Sequence, residues 1–267
     1  MKKILITGAN SYIGTSFENY ILENYKNEYQ IDTLDMINPV WKEYDFSGYN
    51  TVFHVAGIAH ADVGHIGEET KKLYYKVNTN LTIETALKAK ESGVEQFIYM
   101  SSIIVYGESA PLGKRKVITK DTAPSPANFY GDSKLQADLG IQKLNDNNFK
   151  VCIIRPPMIY GPGSKGNYQI LSKLAKKLPI FPNIKNERSM LFVGNLCIYI
   201  KDCVDMNING IKFPQNNDYG STSLIIKEIA KANNRNIHLT NLLNPLVYIA
   251  SKTPGKIGRL ANKALGI

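Results

Sequence analysis

Residues 2–14 read KKILITGANSYIG, and that stretch decides the fold. An apolar, β-branched run at 4–7 meets Gly8, and a helical pattern opens at Tyr12 with Gly14 inside its first turn. A strand that turns through glycine into a helix sets backbone N–H groups and the positive end of a helix dipole against an anion such as a pyrophosphate. Loops of this kind usually carry a third glycine between the outer two, and here that position holds Ser11. Serine is small and its hydroxyl can cap a helix start, so the site survives with somewhat less room.

Outward from this loop, β-branched runs near 4–7, 30–34, 51–55, 96–100 and 151–154 alternate with helical patterns at about 12–24, 70–92 and 129–147. Strand–helix alternation with near-continuous apolar strands predicts an α/β fold, a doubly wound parallel sheet of the Rossmann type. The short stretch between the second and third strands leaves room only for an abbreviated crossover. After Arg155 the texture changes, with Pro156, Pro157, Pro162, Pro179 and Pro182 in a loop-rich stretch. A dinucleotide-binding domain is therefore expected over 1–155, with 190–205 packing back on it. A small carboxyl-terminal substrate-binding lobe is expected from 156–189 and 206–267.

Composition agrees with such a chain: 267 residues, 43% hydrophobic and 21% charged. No apolar run is long enough to span a bilayer, and the run at 4–7 is too short for a signal peptide. Cys152, Cys197 and Cys203 are an odd set without metal-ligand spacing, which reads as reduced thiols in a cytoplasmic protein. The net charge of +9 does not predict nucleic-acid binding, because its distribution is uneven. From Arg235 onward there are five Lys/Arg and no Asp or Glu, so this tail holds more than half of the excess. It reads as a solvated face, or as a contact for an acidic partner or membrane surface. The mildly basic remainder suits anionic small molecules.

Asp35 ends the second strand, where a carboxylate takes the hydroxyls of an adenine ribose and repels a 2′-phosphate. This favours NAD, with NADP as the second choice; the plainer reading is that Asp35 caps a turn. Tyr130 and Lys134 stand four apart in NFYGDSK, on one face of a predicted helix. A neighbouring ammonium is expected to lower the phenol's pKa, so that the tyrosine exchanges a proton with a substrate hydroxyl during hydride transfer. Ser102, at the carboxyl end of the fourth strand in YMSSIIVYG, is placed to bond the reacting oxygen. Gly57, in FHVAG, allows backbone approach to the cofactor. His54 reads as a strand-end residue rather than a base, Tyr106 and Tyr160 as turn or core residues, and His60, Asp62 and His65 form no convincing metal site.

In order along the chain stand TGANSYIG, Asp35, FHVAG, YKVNTN, SSIIVYG, YGDSK, RPPMIYGPG and RSMLFVGNL. With these motifs the chain resembles the extended short-chain dehydrogenase/reductases, the nucleotide-sugar epimerase/dehydratase family, over about residues 2–205. The resemblance implies a catalytic triad of Ser102, Tyr130 and Lys134, with Lys134 also holding the nicotinamide ribose. It implies that Gly8, Asn10, Ser11, Tyr12, Ile13, Gly14, Asp35, Ala56 and Gly57 line the cofactor. The implied substrate is a nucleoside-diphosphate sugar, UDP-linked, with its phosphates met by Arg188 and its nucleotide half by Asn167. The plainer readings of these two are a surface cation and a helix cap. A homodimer through sheet-flanking helices, including the one bearing Tyr130, is a further family expectation. The resemblance fades after Ser221, and the chain ends at LANKALGI within a helical pattern where related chains run further.

The resemblance also bears on the reaction. Sugar 4,6-dehydratases of this family carry an Asp-Glu pair after the active-site Ser/Thr, where this chain has Ile103 and Ile104. Without those carboxylates the elimination has no acid/base pair. A UDP-glucose 4-epimerase-like enzyme of surface polysaccharide sugar synthesis remains, beside a 4-ketoreductase acting on a UDP-4-keto-6-deoxy-N-acetylhexosamine. A non-catalytic dinucleotide-binding sensor or scaffold is the reading from another class; such proteins typically lose the tyrosine or lysine.

Overall fold

The computed structural model describes residues 1–59, 67–164 and 167–255, together with 258, 261, 262 and 265. In chain order its first elements are β1 (Lys2–Thr7), α1 (Tyr12–Asn24), β2 (Tyr29–Leu34), β3 (Thr51–His54), α2 (Glu68–Tyr74), α3 (Leu81–Glu91) and β4 (Gln96–Met100). Then come α4 (Phe129–Gln142), β5 (Lys150–Ile154), β6 (Met158–Tyr160), α5 (Asn167–Lys177), β7 (Ile180–Pro182) and β8 (Met190–Phe192). They are followed by α6 (Val193–Asp205), β9 (Gly210–Lys212), α7 (Thr222–Ala232), β10 (His238–Thr240) and α8 (Asn244–Lys252). Contacts divide the chain into two units. The first comprises Met1–Gly107, Ala123–Gly161 and Leu191–Pro214; the second comprises Glu108–Thr122, Pro162–Met190 and Gln215–Ile267.

The first unit is built on a six-stranded sheet in the order β2-β1-β3-β4-β5-β9, and every pairing in it is parallel. Alternation along the central strands fills two apolar layers, because successive side chains leave opposite faces of a pleated strand. Ile4, Ile6, Ile98, Met100, Cys152 and Ile154 pack with Phe17 and Ile21 of α1 and Leu196 and Ile200 of α6. Leu5, Phe97, Tyr99, Val151 and Ile153 pack with Ala86 and Ala89 of α3 and Ala137 and Ile141 of α4. Burial on both faces is why these strands read as continuous hydrophobic runs. The three cysteines are buried and free, as expected of reduced thiols.

Two local features depart from simple periodicity. Between β2 and β3 the crossover is a single 3₁₀ turn, Pro39–Lys42, anchored by buried Trp41. The helix expected over 70–92 is α2 and α3 joined by a π-helical turn over Tyr75–Asn80. There Asn78 and Thr79 turn inward and bond α4, a demand that regular α-helical winding does not meet. Because β1 lies between β2 and β3, successive connections leave it in opposite directions. The carboxyl ends of β1 and β3 therefore flank a topological switch point, the crevice where such sheets bind ligands.

The second unit has its own apolar cluster, in which Leu171 and Ala175 of α5 meet Ile226, Ile229 and Ala230 of α7, with Phe181, Ile184 and Ile237. Strands β7 and β10 pair in parallel beside it. No described helix is long and apolar enough to cross a membrane.

Candidate active site

The loop after β1 is tied to β2 by the Gly8 and Ala9 N–H groups, both donating to the Leu34 carbonyl at 2.9 and 3.1 Å. Gly8 has φ +113°, and a Cβ on it would stand 2.6 Å from the Ala56 nitrogen. The loop backbone thus lies directly on the turn that follows β3, a cradle that a side chain would fill. Asn10 takes the left-handed conformation, at φ 62°. Ser11 is the N-cap of α1: its Oγ accepts the Gly14 N–H at 3.1 Å and keeps its own proton to donate. Tyr12 and Ile13 are half-buried against the apolar layer under α1.

This geometry accounts for serine where a glycine is usual: the hydroxyl satisfies one of the N–H groups a helix start leaves open. Ser11→Ala is expected to cost about 1 kcal/mol, while Ser11→Gly costs only a few tenths. Urea melts of the two variants beside the parent check the order. A glycine variant less stable than the alanine one would refute the capping role.

Asp35 directly follows β2 and is exposed, and its Oδ1 accepts the Ile37 N–H at 2.9 Å. The turn-capping reading is therefore realised, and the bond fixes a carboxylate at the end of the strand, where the ribose reading requires one. Ala56 is buried and Gly57 exposed, just past the end of β3. A Cβ on Gly57 would lie 3.1 Å from both Lys134 Nζ and Asn78 Oδ1. Three elements converge here: the end of β3, the π-helical turn and α4. The cofactor expected from the sequence fits these residues, since backbone unobstructed by side chains meets a helix start and a buried cation.

Helix α4 begins at Asn128, whose Oδ1 accepts the Gly131 N–H at 2.9 Å. Tyr130 and Lys134 follow on the face turned to the sheet. Lys134 is 6% exposed; its Nζ donates to the Met100 carbonyl at 3.0 Å and lies 4.8 Å from the centre of the Tyr99 ring. Burial pulls its pKa down to about 8, and Asp138 opposes that fall. Ser102 opens the 3₁₀ turn after β4; its Oγ accepts the Ile104 N–H at 3.3 Å, and it lies near enough to the Tyr130 phenol to pull that group's pKa down. Ile103 and Ile104 sit in the 3₁₀ turn that Ser102 caps.

The Tyr130 pKa corrects the sequence expectation. Burial pushes the phenol up to about 12; the Ser102 hydrogen bond pulls the other way and the neighbouring Tyr74 adds to the rise. Lys134 is not among the groups that move it; its ammonium donates to the Met100 carbonyl and lies over the Tyr99 ring. The protein alone therefore holds Tyr130 protonated, as a proton donor.

Asn78, within YKVNTN, has no role that the sequence assigns, and the structure places it at this convergence. Fully buried, it accepts the Ile58 N–H at 2.8 Å and donates to the Ile58 carbonyl and Ser133 Oγ, each at 3.1 Å. It pins the segment after Gly57 to the helix that carries Lys134. The available signal was a cluster of poor helix formers inside a helical pattern.

His54 is fully buried between Thr7 Oγ1 (2.7 Å) and Thr82 Oγ1 (3.1 Å), and burial depresses its pKa to about 3, so it stays neutral. Tyr106 is buried and Tyr160 packs on Phe192. In the second unit, Arg188 is half-buried, forms an antiparallel bridge with Gly220, and has its pKa lowered by burial. Asn167 opens α5, and its side chain lies outside the described residues, as do His60, Asp62 and His65. The first unit alone thus brings together Gly8, Ser11, Gly57, Ser102, Tyr130 and Lys134 at the carboxyl ends of its strands.

The model of the NAD dependent epimerase/dehydratase family matches residues 4–219. A UDP-glucose 4-epimerase of Vibrio cholerae is 31% identical over 251 residues, 86% of this chain and 76% of that protein. An N-acetyl-alpha-D-glucosaminyl-diphospho-ditrans,octacis-undecaprenol 4-epimerase of Escherichia coli O157:H7 is 28% identical over 218 residues. That alignment takes in 74% of this chain and 62% of the relative, so the chain spans less than two thirds of the second protein's length. Among solved structures, a dTDP-4-dehydrorhamnose reductase from Clostridium acetobutylicum superposes with a TM-score of 0.72 at 21% identity. It covers 89% of this chain and 82% of its own, a likeness of fold.

Proposed function

This chain belongs to the NAD dependent epimerase/dehydratase family and is an enzyme, and from that premise we propose that it inverts C4 of a UDP-hexose as a UDP-glucose 4-epimerase does. The observation that carries the reading is the convergence at the end of β3: Gly57 lies open beside the buried Lys134 ammonium, while Tyr130 lies near Ser102 on the next strand end. Gly8, Asn10, Ser11, Tyr12, Ile13 and Gly14 would hold the pyrophosphate of NAD, Asp35 its adenine ribose, and Ala56, Gly57 and Lys134 its nicotinamide half. Bound there, NAD would supply the hydride acceptor and donor for C4.

The chain's own residues manage the proton. In the reducing direction, protonated Tyr130 gives its proton to the developing C4 alkoxide, and Ser102 holds that oxygen in line. In the oxidising direction Tyr130 must first be a phenolate and takes the C4 hydroxyl proton back. The second unit, with Arg188 and Asn167, is assigned to the nucleoside diphosphate. Arginine suits a diphosphate because its planar fork binds two oxygens at once. Synthesis of surface polysaccharide sugars in the cytoplasm, by a homodimer, completes the proposal.

Lys134 acts as an ammonium, so the required form prevails below its pKa. Turnover is expected to fall as pH rises through about 8. A pH profile of kcat tests this, and a rate that stays flat to pH 10 would contradict the lysine's role.

The assay for the reaction supplies UDP-glucose and UDP-galactose, then their N-acetylated forms, with NAD. Interconversion without net reduction of cofactor is expected. Oxidation of added NADH or NADPH by a UDP-4-keto sugar, with no interconversion, would replace the epimerase with the 4-ketoreductase. Inactivity of a cofactor-loaded protein toward all of them would contradict both and reopen the sensor or scaffold reading.

A further inference from the structure

Beneath the lysine, one helical turn farther along α4, stands a carboxylate that the proposed chemistry does not use. Asp138 is fully buried, and its Oδ2 accepts the Arg155 Nε–H at 2.8 Å. Arg155, itself 2% exposed, also donates from Nη1 to the Tyr106 hydroxyl and lies 5.2 Å from that ring's centre. Tyr106 closes the 3₁₀ turn that Ser102 opens. Through Arg155 and Tyr106, this carboxylate ties the helix bearing Tyr130 and Lys134 to the turn bearing Ser102.

Stability is a poor account of this group. Desolvating an ion pair costs several kcal/mol per ion, and apolar replacements of similar volume are often as stable or more so. The charges point elsewhere. Lys134 faces neutral His54 from β3, the Tyr99 ring from β4, and Asp138 from its own helix. Of these, Asp138 is the anion. Burial raises its pKa to about 6 against the pull of Arg155, so at neutral pH it is ionised.

We infer that Asp138 is a positioning residue, the buried counter-charge that keeps Lys134 an ammonium beside Gly57, with Arg155 holding the carboxylate in place beneath the lysine. The inference rests on the proposed reaction for its catalytic meaning, but the charge state of Lys134 can be read without substrate. Asp138→Asn alone leaves a buried, unpaired guanidinium and is expected to be poorly stable. The variant to read is the pair Asp138→Asn with Arg155→Gln, which removes both charges.

The lysine titration is followed by NMR of protein carrying ¹³C at lysine Cε, with Lys134 assigned from a Lys134→Arg sample. In the parent its midpoint is expected near 8, and in the double variant lower by about one to two pH units. The alkaline limb of the kcat profile should move down with it. An unchanged midpoint in a folded double variant would overturn the inference, whatever the substrate proves to be. A shifted midpoint in a protein that turns over no UDP-sugar would leave the inference standing and contradict the proposed reaction instead.

Discussion

Tyr130→Phe loses turnover by roughly 10² to 10⁴-fold, the contribution of a placed general acid–base group, while the fold and cofactor binding persist. The phenol ring does structural work that phenylalanine repeats: it packs edge-on to Tyr74, with centroids 6.1 Å apart. The hydroxyl's neighbour is Ser102, whose oxygen keeps the Ile104 N–H after the change. No buried donor is orphaned, so the thermal midpoint should barely move. The loss falls on kcat, because the proton delivered to or taken from C4 has no other carrier. Unchanged turnover in the phenylalanine variant would remove Tyr130 from the mechanism.

Gly8→Ala strikes the other half of the site. At φ +113° an L side chain is strained, and the added Cβ would lie 2.6 Å from the Ala56 nitrogen and 2.9 Å from its Cα. These are backbone atoms on the adjoining strand end, so no rotamer change relieves the contact. Strain and overpacking together are expected to cost about 2–4 kcal/mol. Cofactor affinity should fall further than stability, since the loop must move from both β2 and the β3 turn. Denaturant melts and a dinucleotide titration measure the two losses separately. Wild-type affinity in this variant would mean that the loop after β1 does not face the cofactor.

Much of this was legible because strand and loop chemistry is local. The bounds of α1 follow from Ser11 and the apolar spacing after it, and Asp35 announces its place by ending β2. Helix spacing alone puts Tyr130 and Lys134 on one face. What stayed hidden depends on burial and on partners distant in sequence. Nothing near Asp138 marks it as buried, because its partner Arg155 arrives from beyond the next strand. The π-helical turn at Tyr75–Asn80 is set by what Asn78 and Thr79 reach across to, not by their neighbours. The Tyr130 pKa moved opposite to expectation for the same reason: spacing reports an adjacent cation, whereas the surrounding fold sets desolvation.

Identifying the nucleotide released when the purified protein is denatured tests the central claim most directly. Near-stoichiometric NAD is the result predicted for an epimerase that recycles its own cofactor in the cradle formed by Gly8, Ser11 and Gly57. A protein that releases no nucleotide, and binds neither NAD nor NADP when they are added, would contradict the account.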